Sequence, residues 1–170
     1  HAGIAAICQK VGANSPPQFI EVEPDGESTV GWCFPNVQKK VQREGGSLQH
    51  GWILWEYPGV FVEAEFHGVW RSADGSLLCV SARDDGLRRL GFISDHVRRY
   101  EGRRVANVAI SWPKNRHVER LLEKEAELFR FEERHFDPIT GGIRCSKSTR
   151  DYFVREVEAA ARKVRLALKT

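Results

Sequence analysis

The stretch that decides the fold reads Val60-Phe61-Val62-Glu63-Ala64-Glu65-Phe66-His67, in which every even-numbered residue is apolar. Side chains of a β-strand alternate between its two faces, so this pattern predicts a strand with one buried face. The opposite face carries two glutamates and His67. A turn sequence at 72–75 and a second apolar stretch at 76–81 follow, and together they predict a hairpin.

The rest of the chain predicts an α+β fold. Residues 34–44 have helical spacing and end at two glycines. The last third predicts one helix that Asn115 caps, and a second whose capping box is Ser148 with Asp151. We therefore expect an N-terminal helix, a central antiparallel sheet of about four or five strands and two C-terminal helices. The strand candidates are 18–23, 52–57, 60–67, 76–81, 90–93 and 105–110.

Length and composition fit one globular domain. The chain has 170 residues, a hydrophobic share of 41% and a net charge of +3, so we expect residues 1–170 to form a single domain. Residues 1–17, which include Asn14-Ser15-Pro16-Pro17, predict an arm or loop. Four scattered cysteines indicate reduced thiols and a cytoplasmic protein. No apolar run is long enough to cross a membrane, and no cofactor is indicated.

Cys33 lies where a strand-like stretch runs into the helix predicted for 34–44. A helix N-terminus and a nearby imidazolium both lower the pKa of a thiol, and only the thiolate attacks well. The backbone N–H groups at the helix start would also face a developing oxyanion. We therefore expect Cys33 to be a nucleophile, with His67 as its base and acid. The alternative is that Cys33 packs in the core as a small hydrophobic residue.

The predicted hairpin indicates what lies beside His67. If residues 73–75 form a three-residue loop with a left-handed glycine at its end, Ser72 pairs with Ser76. Continuing that register makes His67 and Cys79 diagonal neighbours on one face. The residue that orients a catalytic imidazole is normally a carboxylate or an amide. The sequence therefore predicts a third site position occupied by Cys79, which is a weak orienting group.

Three segments stand in the order of a known class of enzymes: Cys33-Phe34-Pro35-Asn36-Val37, Glu63-Ala64-Glu65-Phe66-His67-Gly68-Val69-Trp70 and Asp74-Gly75-Ser76-Leu77-Leu78-Cys79-Val80-Ser81. They resemble the papain-like and transglutaminase-like cysteine fold, and a group of uncharacterised bacterial proteins with Asp in the place of Cys79. The resemblance covers about a third of the chain, Gly31 to Ser81. It implies hydrolysis or transfer at an amide bond of a peptide, protein or small molecule, without a cofactor. Cys33 would be the nucleophile and His67 the base.

An alternative function is a non-catalytic binding module of the same fold. Six arginines fall within 17 residues, a density that favours an anionic partner such as an acidic protein or a nucleic acid. We expect Arg98 and Arg99 to contact that partner, and Trp52 to offer an aromatic face to an apolar group. The six arginines are Arg88, Arg89, Arg98, Arg99, Arg103 and Arg104.

A zinc site is a third hypothesis for the same residues. Cys33, His67 and Cys79 offer two sulfurs and a nitrogen, and His50 or Glu65 would be the fourth ligand. Their spacing matches no compact zinc motif.

Overall fold

The computed structural model contains four helices and six strands within the residues it describes. The helices are α1 (Ala2–Val11), α2 (Cys33–Glu44), α3 (Arg116–Arg134) and α4 (Lys147–Ala167). The strands are β1 (Gln18–Val22), β2 (Ser47–Tyr57), β3 (Phe61–Arg71), β4 (Leu77–Cys79), β5 (Arg89–Ser94) and β6 (Val108–Ser111). The described residues are 2–13, 15–137, 139–140 and 142–168.

The chain divides into two compact units. The single domain expected for residues 1–170 stays a prediction. The first unit comprises His1–Glu56 and Glu63–Val108, and the second comprises Tyr57–Val62 and Ala109–Thr170. The first unit contains α1, α2 and nearly all of β1 to β5, and the second contains α3 and α4. All residues of the predicted catalytic and anion-binding sites belong to the first unit.

The sheet of the first unit is mixed and closes into a small barrel. Its strand order is β2-β5-β1-β4-β3, and β2 also pairs with β3. β1 runs parallel to β4, with Val22 opposite Cys79, and antiparallel to β5. The α+β class is confirmed, but the prediction of an antiparallel sheet is wrong. Alternation identifies a strand but not its neighbours, and the chain inserts β1 between two strands that come much later.

Residues 2–11 form a helix, so the prediction of an arm over 1–17 is wrong for that part. Ile4, Ile7 and Val11 have helical spacing, and Ile7 and Val11 are 0% and 1% exposed. The alanines between them are strong helix formers. The helical spacing of these apolar residues was hard to recognise in the sequence, because alanines and a glycine stand among them. Asn14 lies outside the described residues.

The core of the first unit gathers residues from every barrel strand. Cys79 is a fully buried member of it, so its thiol is a packing group as well as a neighbour of His67. Free cysteine packs as a small hydrophobic residue. The core cluster comprises Ile20, Val22, Ile53, Val69, Cys79, Leu90 and Phe92.

The second unit confirms the two predicted C-terminal helices and corrects one cap. The side chain of Asn115 accepts hydrogen bonds from the N–H groups of His117 and Val118, as expected for the cap of α3. α4 is capped by Ser146, which accepts from the N–H of Thr149, so the prediction of a cap at Ser148 is wrong. Within the described residues no helix is both long and apolar enough to cross a membrane.

Candidate active site

The hairpin of β3 and β4 has the register that the sequence predicted. Trp70 lies opposite Leu78, and the N–H of Ser72 donates to the carbonyl of Ser76 at 3.0 Å. Gly75 has a φ of 89°, the left-handed conformation that this loop requires. The consequence is direct contact in the core. Cys79 Sγ lies 3.5 Å from His67 Nε2.

Cys33 is the first residue of α2, and its sulfur lies beside the strand that carries His67. The thiol is partly exposed, whereas His67 is 5% exposed. Backbone N–H groups of Gly68 and Phe34 point at the Cys33 sulfur and favour its thiolate. Gly68 directly follows His67 on β3, so the predicted nucleophile lies against the backbone of the residue next to the predicted base.

Burial raises the pKa of Cys33 to about 11, although the N–H groups of Gly68 and Phe34 act against the increase. The negative charge of Glu65 and the neighbouring Cys79 raise it further. The N–H at the helix start lowers the pKa of this thiol, as expected, but burial outweighs it and the net change is upward. Loss of hydration on burial destabilises the thiolate more than the N–H groups of Gly68 and Phe34 stabilise it. At neutral pH the Cys33 thiol is protonated.

The imidazole of His67 is also uncharged at neutral pH. Burial lowers its pKa to about 3, and the positive charge of Arg83 adds to the effect. Burial likewise raises the pKa of the Cys79 thiol. The resting site therefore holds two thiols and a neutral imidazole, and not a thiolate–imidazolium pair.

Glu65, the only carboxylate on the same strand face close to His67, is bound elsewhere. Its Oε2 accepts a hydrogen bond from Trp55 Nε1 at 2.7 Å. The guanidinium of Arg83 lies 5.2 Å from the centre of the Trp55 ring and pairs with Asp85. Among the described residues, no carboxylate forms a hydrogen bond or ion pair with His67, and the sulfur of Cys79 contacts its Nε2.

Asn36 is a part of the site that the sequence interpretation missed. It is 3% exposed, and its Nδ2 donates to Thr29 O at 2.7 Å and to Ser81 Oγ at 3.2 Å. The N–H of Ser81 in turn points at the sulfur of Cys79. Asn36 therefore ties the start of α2 to the residues that follow β4. Its position three residues after Cys33, on the same helix face, was the available signal.

An aromatic cluster supports the helix start next to Cys33. The ring of Phe34 stacks on Tyr100 with centres 4.1 Å apart, and it lies 5.7 Å from His50 and 5.6 Å from Phe66. A Cβ atom added to Gly68 would lie 2.7 Å from Phe34 Cδ1. Gly68 is thus required where β3 passes the first turn of α2.

We expect Gly68→Ala to lower the free energy of unfolding by about 1–3 kcal/mol, the usual cost of an overpacked core. The new methyl group would lie 2.7 Å from Phe34 Cδ1 and 2.9 Å from Leu48 Cδ1, so both side chains must move. Movement of Phe34 would displace the start of α2. Urea unfolding measures the loss. Gly91→Ala is the matched control, because its nearest neighbour, Leu54 Cβ, is at 3.6 Å. Equal stability of the two variants would contradict the expectation.

Trp52 and Arg98 hold the chain after β5. Trp52 is 1% exposed and its Nε1 donates to Asp95 Oδ2 at 3.0 Å. Arg98 NH1 lies 2.9 Å from the same oxygen and donates to Val11 O at 2.8 Å. Burial raises the pKa of Asp95, but hydrogen bonds from Arg98, Val97 and Trp52 outweigh it and lower the pKa to about 2. Trp52 therefore has no face to offer a ligand, and the charge of Arg98 is paired.

The residues predicted for zinc do not form a metal site. Among the described residues, no group of three or more His, Cys, Asp or Glu side chains has an arrangement that would hold a metal ion. The zinc hypothesis for Cys33, His67 and Cys79 has no geometric support.

Comparisons of the chain with protein-family models, with curated proteins and with solved structures found no match. The resemblance to the papain-like and transglutaminase-like fold therefore stays a prediction.

Proposed function

We propose that this protein is a cysteine-dependent hydrolase or amidotransferase that acts on an amide bond. The observation that carries the proposal is the convergence on one strand segment of a partly exposed helix-start thiol and a buried imidazole. Cys33 faces the N–H of Gly68, and His67 precedes that residue. We also propose the papain-like arrangement of helix and barrel, and a cytoplasmic location that suits the four free thiols.

The neutral resting state determines how the reaction would begin. Because neither group is charged, the Cys33 thiol would pass its proton to His67 as its sulfur attacks the carbonyl carbon. Proton transfer in the transition state avoids forming an isolated buried thiolate. His67 then returns the proton to the departing amine as the carbon–nitrogen bond breaks. Water, or a second amine in a transferase, then attacks the thioester carbonyl. The carbon–sulfur bond breaks, the acyl group leaves as an acid or a new amide, and the proton of the nucleophile returns to the Cys33 sulfur through His67.

Two backbone groups and one side chain would assist this sequence. The N–H groups of Gly68 and Phe34 point at the sulfur, so they lie beside the carbon that it would attack. They are suited to stabilise the negative oxygen of a tetrahedral intermediate. Cys79 contacts Nε2 of His67, so in this proposal Nδ1 of the ring would take the proton of Cys33. A thiol is a weak hydrogen-bonding group, so Cys79 orients the His67 ring less firmly than a carboxylate would. We therefore expect a slower reaction than in an enzyme with a carboxylate at this position.

Acylation of Cys33 tests the proposal. We expect p-nitrophenyl acetate to release one equivalent of nitrophenol and to leave one acetyl group on Cys33, seen by intact mass and peptide mapping. Cys33→Ala should abolish the adduct, and Cys8→Ala should not. Cys8 is the matched control because its thiol is also partly exposed and burial raises its pKa too. Equal acetylation of Cys8, or an adduct that survives in Cys33→Ala, would refute a nucleophilic Cys33.

A further inference from the structure

The segment that follows β5 brings a cation to the aromatic cluster beside Cys33. Tyr100 stacks on Phe34, the residue after the nucleophile. Arg99 precedes Tyr100, and its positive charge helps to lower the pKa of His50, whose ring lies 5.7 Å from that of Phe34. Arg99 is therefore within electrostatic range of the same cluster.

Arg99 is exposed and has no carboxylate partner among the described residues. Its guanidinium donates to the carbonyls of Arg98 at 2.9 Å and His96 at 3.0 Å, which fix its direction without neutralising it. Its neighbour differs, because Arg98 is paired with Asp95. The two arginines that the sequence grouped together thus have separate roles.

The backbone under Arg99 is held in place. Asp95 is 7% exposed and its Oδ1 accepts from the N–H groups of Val97 and Arg98, both at 2.8 Å. Because the segment is anchored at one end by these bonds and at the other by the Tyr100 stack, the charge of Arg99 is presented from a preorganised support. Preorganisation lowers the cost of binding a ligand there.

We infer that Arg99 is a specificity residue that selects substrates with a carboxylate next to the scissile amide. The inference rests on the proposed function. The ligand chemistry follows from the surroundings: one unpaired guanidinium on the edge of an aromatic cluster fits a single carboxylate on an acidic peptide. A nucleic acid would instead need several cations in register, and Arg98 is already neutralised by Asp95.

Two fluorogenic peptide amides that differ only in Glu or Gln next to the cleaved bond provide the test. We expect kcat/KM to favour Glu by about fivefold at low salt, as an exposed ion pair would give, and the preference to shrink in high salt. Arg99→Gln should remove the preference and Arg99→Lys should keep most of it. Arg162→Gln, an exposed arginine of α4 in the second unit, should leave it unchanged.

Binding of the same peptides to Cys33→Ser, measured by fluorescence anisotropy, separates this inference from the proposed function. Absence of turnover together with Arg99-dependent binding of the Glu peptide would refute the hydrolase and leave the acidic ligand in place. Turnover of both peptides at equal rates would overturn the role of Arg99 alone. Arg99-dependent binding of a single-stranded oligonucleotide, with no preference for the Glu peptide, would also overturn it.

Discussion

His67→Gln is expected to slow acylation of Cys33 by about 10²-fold, the low end of the usual contribution of a general base, because burial lowers the pKa of His67 to about 3 and makes it a weak base. The thiol has a pKa of about 11, so very little thiolate exists at neutral pH, and attack depends on a base that takes the proton during the reaction. Glutamine is polar and close in size to histidine but carries no basic nitrogen. It can keep a contact with Cys79 without accepting the proton of Cys33.

The release of nitrophenol from p-nitrophenyl acetate, followed by stopped flow, measures this effect. His117→Gln is the control, because His117 is a partly exposed histidine of α3 in the second unit and should acylate at the wild-type rate. Urea unfolding should show that His67→Gln remains folded. A folded His67→Gln protein that acylates at the wild-type rate would exclude His67 as the base.

Cys79→Asp is expected to increase the reactivity of Cys33 toward iodoacetamide at pH 5 by about tenfold or more. A carboxylate in contact with an imidazole raises the imidazole pKa by about 1–3 units. In the wild type burial holds the pKa of His67 at about 3, so the ring carries no charge to stabilise a thiolate. The carboxylate would favour imidazolium, and the imidazolium would in turn lower the pKa of Cys33.

The pH dependence of alkylation gives the direction of this change. In the wild type the rate should rise with pH up to about 11, because the thiolate forms only as the pH approaches that value. In Cys79→Asp the rise should occur at lower pH. Cys79→Asn has the same shape without the charge and should follow the wild type. Identical profiles for the Asp and Asn variants would show that a charge at position 79, beside His67, does not control the reactivity of the Cys33 thiol.

The local part of the fold was predictable from sequence, and the sheet order was not. Alternation over 60–67 and the glycine at 75 determine the β3–β4 register, because both act through neighbouring residues. The parallel pairing of Val22 with Cys79 joins segments more than 50 residues apart, and no local pattern encodes it. The helix at 2–11 was missed since its alanines and glycine weakened the apolar stripe.

The candidate site shows the same division. The sequence predicted the helix start at Cys33 and the proximity of His67 to Cys79, because helix starts and hairpin registers follow from short-range patterns. It predicted the wrong direction for the pKa of Cys33, since burial depends on atoms contributed by the whole barrel. The position of Asn36 on the same helix face as Cys33 was visible in the sequence, but its contact was not. Its partner Ser81 is 45 residues away, and that contact exists only after folding.

The central position of β1 has a consequence for how the chain is made. β1 leaves the ribosome well before its partner strands β4 and β5, and β5 ends at Ser94. Contacts that span so much sequence form late and slow the folding of a domain. Until Ser94 has emerged, β1 lacks a partner strand on one side, and the wall that buries Cys79 is incomplete. The nascent chain should therefore expose the Cys79 thiol, which is buried in the folded protein. A reducing environment during synthesis would protect this thiol from oxidation.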